Sequence, residues 1–558
     1  MKLADLFWEK NMETSPTWAT QLGDDRYNDQ LGDNSPQAEE ARRVWLQDML
    51  TKVEDIDPKT LSTADRVTRN ALHFELRSDL ARMDCGFGDW NINPMGGPQV
   101  WLFNIPSYQK LTDGKSGKDL LGRWEKMGAY IRQHQKNIMR GAKAGNFATE
   151  VAVRKVIEQL DELEKQSVED WALMKPAHET PSAWTGEERA SFARSLRGII
   201  TQEVRPALMD FRDYLKAEIL PNARSQEKPG ISHLAGGLEC YQNMVLVHTS
   251  LDISPEAIHK IGLQEVEKIN AETRALGKKV LGTDDLEKIH TMLRDDKDLH
   301  FETRDEVQAK AEEALERARQ VMPEWFGVLP KAPCNVVRIE PHEEKHSTIA
   351  YYRRPAADGS RPGSYYINTY APETRPRYEA EALAFHEAIP GHHLQIAIAQ
   401  ELEDIPTFRK HSGVTAFVEG WALYTERLSN EMGLYSSDID RLGMLSYDSW
   451  RACRLVVDTG LHALGWSRQE AIDFMIANSS LAPNNIANEV DRYIAWPGQA
   501  LAYKLGQREI FRLRAMAKEK LGGAFDIKEF HDVVLSQGAV DLATLDAMVG
   551  DYVEEKLK

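Results

Sequence analysis

Apolar positions recur at helical spacing along most of the first three hundred residues. Val44, Trp45, Met49, Val53 and Ile56 follow it, and so do Leu160, Leu163 and Val168 in the segment after Asn146. Helix starts are marked by capping chemistry. Thr185-Gly-Glu-Glu188 and Ser467-Arg-Gln-Glu470 fit the capping box, and Ser254-Pro255 sets a cap residue before a proline at the first helical position. From Gly86 to Pro106 the periodicity gives way to Gly, Asn, Pro and the aromatics Trp90, Trp101 and Phe103, which predicts a long ordered loop able to line a cleft. No internal repeat or low-complexity tract interrupts the chain.

Between Cys334 and Thr369 the period changes. Asn335-Val-Val-Arg-Ile-Glu340, Thr348-Ile-Ala-Tyr-Tyr-Arg353 and Ser364-Tyr-Tyr-Ile-Asn-Thr369 are short, rich in β-branched and aromatic residues, and separated by Pro, Gly and Asp. They predict a small sheet. After Arg375-Pro376 the helical pattern resumes to the end, with breaks at Pro406, Gly413, Pro483 and Pro497-Gly498. The fold class expected is mainly α, with a small β-sheet beside the segment that follows it.

With 558 residues, 42% hydrophobic and 28% charged, the chain has the make-up of a globular protein and not of a disordered or disulfide-dense one. Acidic residues exceed basic ones by 87 − 69 = 18, giving a net charge of -18, and no block of Lys/Arg offers a phosphate-binding stripe. Nucleic acid is therefore not an expected partner. No run of about 18 apolar residues predicts a membrane span, and charge enters the N-terminal segment before any apolar core of a signal peptide. Cys85, Cys240, Cys334 and Cys453 lie far apart with no Cys-x-x-Cys spacing, arguing against a zinc knot or a redox pair. The setting expected is reduced and cytoplasmic, or exported if a leader has been removed. Oligomeric state is not legible.

The segment richest in chemistry is His386-Glu387-Ala-Ile-Pro-Gly-His392-His393. Imidazole nitrogens with a carboxylate suit Zn²⁺. In a His-Glu-x-x-His helix the two histidines share a face and the Glu takes a proton from the activated water. Here the second histidine comes six or seven residues after the first, so on an unbroken helix His392 would be rotated roughly 120° away and His393 would rise about 10 Å. Two histidines can meet on one ion only if the helix breaks, and Pro390-Gly391 supplies the break. Looping out two residues recruits His392; looping out three recruits His393.

Glu419, in Phe417-Val-Glu-Gly-Trp-Ala-Leu-Tyr424, offers a third ligand from a returning helix, 419 − 392 = 27 residues on. Its apolar neighbours would make an unpaired carboxylate costly unless a cation held it. Glu426, seven residues further along the same face, is the alternative ligand and otherwise reads as a solvated helix residue.

These residues stand within longer runs: Arg375 to Gln395, Phe417 to Tyr424, Trp450-Arg-Ala-Cys-Arg-Leu-Val-Val-Asp-Thr-Gly460 and Asp491 to Gly506, with an opening Ser15-Pro-Thr-Trp-Ala-Thr-Gln-Leu-Gly-Asp-Asp-Arg-Tyr27. Together they closely resemble a large bacterial family labelled only as a domain of unknown function and placed in the zincin metallopeptidase superfamily. The resemblance covers nearly the whole chain. It implies a large helical zincin-like body with a deep channel. Residues 1–330 would form a helical part walling that channel, and 331–558 a catalytic part with the sheet, the metal helix and the C-terminal helices, the two intertwined as one fold. In related oligopeptidases the second histidine follows a glycine, as in Gly391-His392-His393-Leu394, which favours His392; the Ile-Pro between the halves of the motif departs from their pattern.

The resemblance further implies one Zn²⁺ per chain on His386, His392 and Glu419, with Glu387 as general base. Tyr503 and Arg492 are candidate donors to the developing oxyanion, with Tyr493 a weaker one, because Pro497-Gly498 would bend their segment toward the site. The stretch Tyr365 to Thr369, including Tyr366 and Asn368, is a candidate edge strand for pairing with an extended peptide, and Arg375 or Arg377 a candidate fork for its terminal carboxylate. Asp458 and His462, four apart on one helix, are a candidate pair for orienting a zinc histidine from behind. The activity expected is zinc-dependent hydrolysis of short peptides of the carboxypeptidase, dipeptidase or oligopeptidase type. The alternatives are hydrolysis of a small non-peptide or modified amino-acid amide, and a helical binding protein without catalysis.

Overall fold

The computed structural model describes residues 1–341, 344–346, 348–356, 359 and 361–558. It is mainly α with one three-stranded sheet, as the patterning predicts. The capping signals sit where they were read: Thr185 and Ser467 complete capping boxes, and the Ser254 side chain accepts from Ala257 N–H ahead of Pro255.

The chain divides into two compact units. One comprises Lys2–Lys52 and Asp79–Cys240. Its longest helix, Gly114–Lys143, buries Leu120, Trp124, Met127, Ile131 and Ile138, a stripe at spacings of three, four and seven. The segment from Gly86 to Pro106 is not the long loop predicted. It forms two short helices, Phe87–Trp90 and Pro98–Asn104, whose Trp90 and Leu102 are buried together with Ile92 and Ile105. Its glycines and prolines start these helices, Gly86 and Gly97 as N-caps and Pro98 at the first position, instead of preventing them.

Cys85 and Cys240 form a disulfide in this unit, which corrects the expectation of four reduced cysteines; Cys334 and Cys453 are free and buried. Spacing rules see only neighbouring cysteines, and these two are 155 residues apart. The bridge closes a loop containing almost all of the second segment of the unit. By the chain-entropy model, reduction lowers the stability of this unit by about 5 kcal/mol. Thermal unfolding with and without a thiol reductant, in wild type and Cys85→Ser, is expected to show one transition moving down under reductant in wild type only.

The other unit comprises Val53–Ser78 and Tyr241–Lys558, with Met1. In chain order it contains α1 (Pro255–Val280), α2 (Arg304–Trp325), the strands β1 (Cys334–Arg338), β2 (Ala350–Arg353) and β3 (Gly363–Ile367), then α3 (Ala380–Glu387), α4 (His392–Glu401), α5 (Thr415–Glu431), α6 (Asp438–His462), α7 (Pro483–Ala495) and α8 (Ala502–Leu521). The sheet order is β1-β3-β2, with β1 parallel and β2 antiparallel to β3. The strand proposed as a free edge is therefore the central one, and its main-chain groups already bond both neighbours.

Helix α6 is buried over most of its length, from Leu442 to His462, and lies along α1. Helices α5 and α8 meet where two glycines coincide. A Cβ on Gly420 would stand 2.5 Å from the Gly506 Cα, so only glycine lets the backbones approach this closely. This crossing fixes α5 against the core and, with it, Glu419 one residue earlier.

Candidate metal centre

Helix α3 ends at Glu387 and α4 begins at His392, so the break falls at Pro390-Gly391 as the sequence requires. The Ile389–Pro390 peptide is cis. Trp421 Nε1 on α5 donates to the Pro390 carbonyl (3.0 Å), tying the break to the next helix. Gly391 packs on the end of α3 so closely that a Cβ there would fall 1.9 Å from the His386 carbonyl oxygen.

This turn aims two imidazoles at one point. The His386 and His392 rings lie 4.8 Å apart and nearly perpendicular, and each Nε2 is 3.5 Å from Glu419 Oε2. The three ligand atoms fall within 4.8 Å of one another. A tetrahedral Zn²⁺ bonded at about 2.0–2.1 Å holds its ligand atoms about 3.4 Å apart, so two imidazole nitrogens and one carboxylate oxygen at these separations fit the ion with one position left over.

The neighbour His393 turns away. Its Nδ1 meets the Tyr352 hydroxyl (2.9 Å) and its Nε2 the Ala332 carbonyl (3.0 Å), while burial pushes its pKa down to about 4. Of the two alternatives it is His392 that faces Glu419.

Glu426 is not solvated, contrary to the sequence reading. It is fully buried, and its Oε1 lies 2.7 Å from His386 Nδ1. One helix thus presents a carboxylate to each nitrogen of the same ring: Glu419 at Nε2, and two turns on Glu426 at Nδ1. An Nδ1–H donated to Glu426 would leave the Nε2 lone pair of a neutral ring to face a cation. Arg451 of α6, 3.8 Å from Glu426 and over the Trp450 ring at 4.1 Å, compensates the buried charge.

Burial disfavours charge on His386, but Glu419 and Glu426 outweigh it and raise the pKa to about 9. Burial likewise works against ionised Glu419, yet the two imidazoles hold its carboxyl well below the usual range. The cluster calls for positive charge between its members, whether from a proton or from a divalent cation.

Glu387 closes α3 beside His386. It is half-buried, with no hydrogen bond or ion pair to any described residue, and the fully buried phenol of Tyr365 on β3 adjoins it. Tyr503 on α8 lies parallel to the His386 ring at 6.4 Å, under the Arg454 guanidinium at 3.9 Å. The Gln499 carboxamide joins it to Arg492, donating to Tyr503 Oη (3.3 Å) and accepting from Arg492 (3.2 Å). Tyr503 therefore borders the cluster, and Arg492 stands one residue behind. Tyr493 instead accepts from Trp450 Nε1 (2.9 Å).

Other candidates serve elsewhere. Asp458 accepts from the Tyr241 hydroxyl (2.6 Å) and Gly498 N–H, and His462 Nε2 bonds the Tyr493 carbonyl (3.0 Å); the group behind His386 is Glu426, not this pair. Tyr366 stacks on Tyr351 across the β2–β3 pair at 4.8 Å. Asn368 is buried and holds its own loop, donating to the Glu344 and Thr348 carbonyls. Arg375 donates to the Tyr370 carbonyl (2.9 Å) and Arg377 pairs with Glu306 (3.5 Å), so both tie the turn down. Glu426 and Arg451 had a signal in the sequence: a zinc histidine needs an acceptor on its second nitrogen, and Glu426 shares the face of Glu419.

The fold and the cluster define a mainly helical protein with a buried pair of histidines and a glutamate suited to a divalent metal. Residues 16–549 match the model of a family described as bacterial protein of unknown function, DUF885, and the chain belongs to that family. No curated protein matches it. Among solved structures, one from Colwellia psychrerythraea, provisionally described as a lipoprotein, is 27% identical over 99% of both chains with a TM-score of 0.91. Another from Shewanella oneidensis, provisionally described as a lipoprotein of unknown function, is 19% identical over 98% of both chains with a TM-score of 0.79, a likeness of fold. Among the described residues no helix is long and apolar enough to cross a membrane.

Proposed function

We propose that the protein is a zinc-dependent hydrolase of short peptides, with a zincin-type site on His386, His392 and Glu419. The observation that carries this reading is the pairing of that donor set with an uncommitted carboxylate, Glu387, directly beside a ligand; metal storage alone has no use for it. Held by His386, His392 and Glu419, Zn²⁺ would supply Lewis-acid activation of a water molecule. Glu387 takes the proton of that water as it attacks the amide carbonyl, and delivers it to the departing amine. Tyr503 donates its hydroxyl proton in a hydrogen bond to the carbonyl oxygen as negative charge grows there. Arg492 and Arg454 keep Tyr503 in place through Gln499 and through the face of the ring. Glu426 and Arg451 hold the His386 ring in its ligating orientation.

An exported location goes with this reading. The Cys85–Cys240 disulfide suits an oxidising compartment, and both solved relatives are provisionally described as lipoproteins.

The test is a defined mixture of di- to decapeptides incubated with zinc-loaded protein and analysed by mass spectrometry. Cleavage that stops on chelation and returns with added Zn²⁺ is expected, and the products identify the end that is cut. Stoichiometric zinc without cleavage of any peptide would move the reading to a small-amide hydrolase.

A further inference from the structure

A cleft of about 140 Å³ adjoins the cluster, with Glu419 in its wall. Its lining includes Ile396 and Val418, and three polar groups that lack a partner among the described residues. Arg354, just past β2, and Lys410 make no hydrogen bond or ion pair with any described residue. Gln395, three residues after His392 on α4, is only 3% exposed, yet its Oε1 has no partner. Among the described residues its NH2 group likewise has no acceptor, and that group can donate to a ligand in the cleft.

Two cations and one acid line the cleft, while Glu75 accepts from the lining Ser412 at its edge. Burial, then the positive charges of Arg354 and Lys410, push the pKa of His411 down to about 4, so both cations lie close to the same ring. The acid in the wall is Glu419, already committed to His386 and His392. Two unpaired cations side by side, in a chain of net charge -18, form a local site for an anion. At this volume the cleft lies below the roughly 300–1,000 Å³ of pockets that enclose whole small molecules, so it receives one end of a ligand.

The geometry points to a carboxylate-binding subsite formed by Arg354, Lys410 and Gln395, so that the substrates of this site are short peptides or amides carrying a free carboxylate next to the scissile bond. The inference rests on the hydrolase reading for its place in a reaction, though not for its binding chemistry. Guanidinium and ammonium groups grip the carboxylate through charge-assisted hydrogen bonds, and the Gln395 amide donates a further one. The role once assigned to Arg375 and Arg377 falls to these residues.

The test is calorimetric titration of both metal-free and zinc-loaded protein with N-acetylalanine, N-acetylalaninamide and N-acetylaspartic acid α-amide. These probes carry a terminal carboxylate, none, and a side-chain carboxylate. At least one acid is expected to bind roughly tenfold or more tighter than the neutral amide. That preference should be lost in Arg354→Met and in Lys410→Met, with unfolding temperature and zinc content unchanged. Which acid wins identifies the source of the carboxylate. In the cleavage assay the same variants should raise KM for the preferred substrate with little change in kcat. Equal binding of acids and amide, or a preference surviving both substitutions, overturns the subsite. Discrimination between acid and amide in a protein that cleaves nothing would keep the subsite and reject the hydrolase, whereas cleavage indifferent to the carboxylate would do the reverse.

Discussion

Glu387→Gln is expected to keep its zinc and lose its hydrolysis. The carboxylate is not one of the three groups whose ligand atoms converge, so its replacement leaves the donor set intact. Its freedom from other bonds means that no network collapses with it. What the amide cannot do is accept a proton, and general-base catalysis is worth typically about 10²–10⁴-fold in rate. A fall in kcat of that order, at unchanged zinc content and with little change in KM, is the expected signature. Comparable activity in Glu387→Gln would remove the proton-transfer role and the main reason for reading the cluster as catalytic.

The second large effect concerns Gly391→Ala. The added methyl would stand 1.9 Å from the His386 carbonyl oxygen and 2.4 Å from that of Phe385, both backbone atoms with no freedom to swing aside. The turn must open by more than an ångström, and the next residue is His392, held 3.5 Å from Glu419 by this same turn. Displacement on this scale would take one ligand off an ion bound there, and misplacements of about 1 Å already cost roughly 10²-fold in reactions that depend on positioning. Zinc affinity is expected to fall at least a hundredfold by competition with a chelator, while the helical circular dichroism is retained. Unchanged affinity would show that the turn does not position the second ligand.

Much of this was legible in the sequence, and the rest was hidden for identifiable reasons. Local rules worked where local forces decide: capping boxes at Thr185 and Ser467, the three strands, and the helix break at Pro390-Gly391. Glu419 stood out because a lone carboxylate among Phe417, Val418 and Trp421 calls for a partner, and the fold sets it against His386 and His392. Glu426 was misread because a glutamate on a helix face is usually solvated, and only the packing of α5 on α3 reveals that it faces the back of His386. The position of β3 between β1 and β2 depends on sheet order, which strand patterning does not encode. The disulfide joins residues brought together by tertiary folding alone. Residues 86–106 were misjudged because Gly and Pro, taken as breakers, here begin short helices. The paired cations of the cleft, Arg354 and Lys410, are 56 positions apart by their numbering (410 − 354) and belong to no motif.

The central claim is that His386, His392 and Glu419 form a zinc site. Its most direct test is elemental analysis of the purified protein after zinc loading and removal of excess metal, beside His392→Ala and His393→Ala. One zinc per chain in wild type and in His393→Ala, with loss in His392→Ala, is the expected result. No stoichiometric metal in wild type, or loss on substitution of His393 in place of His392, would contradict it.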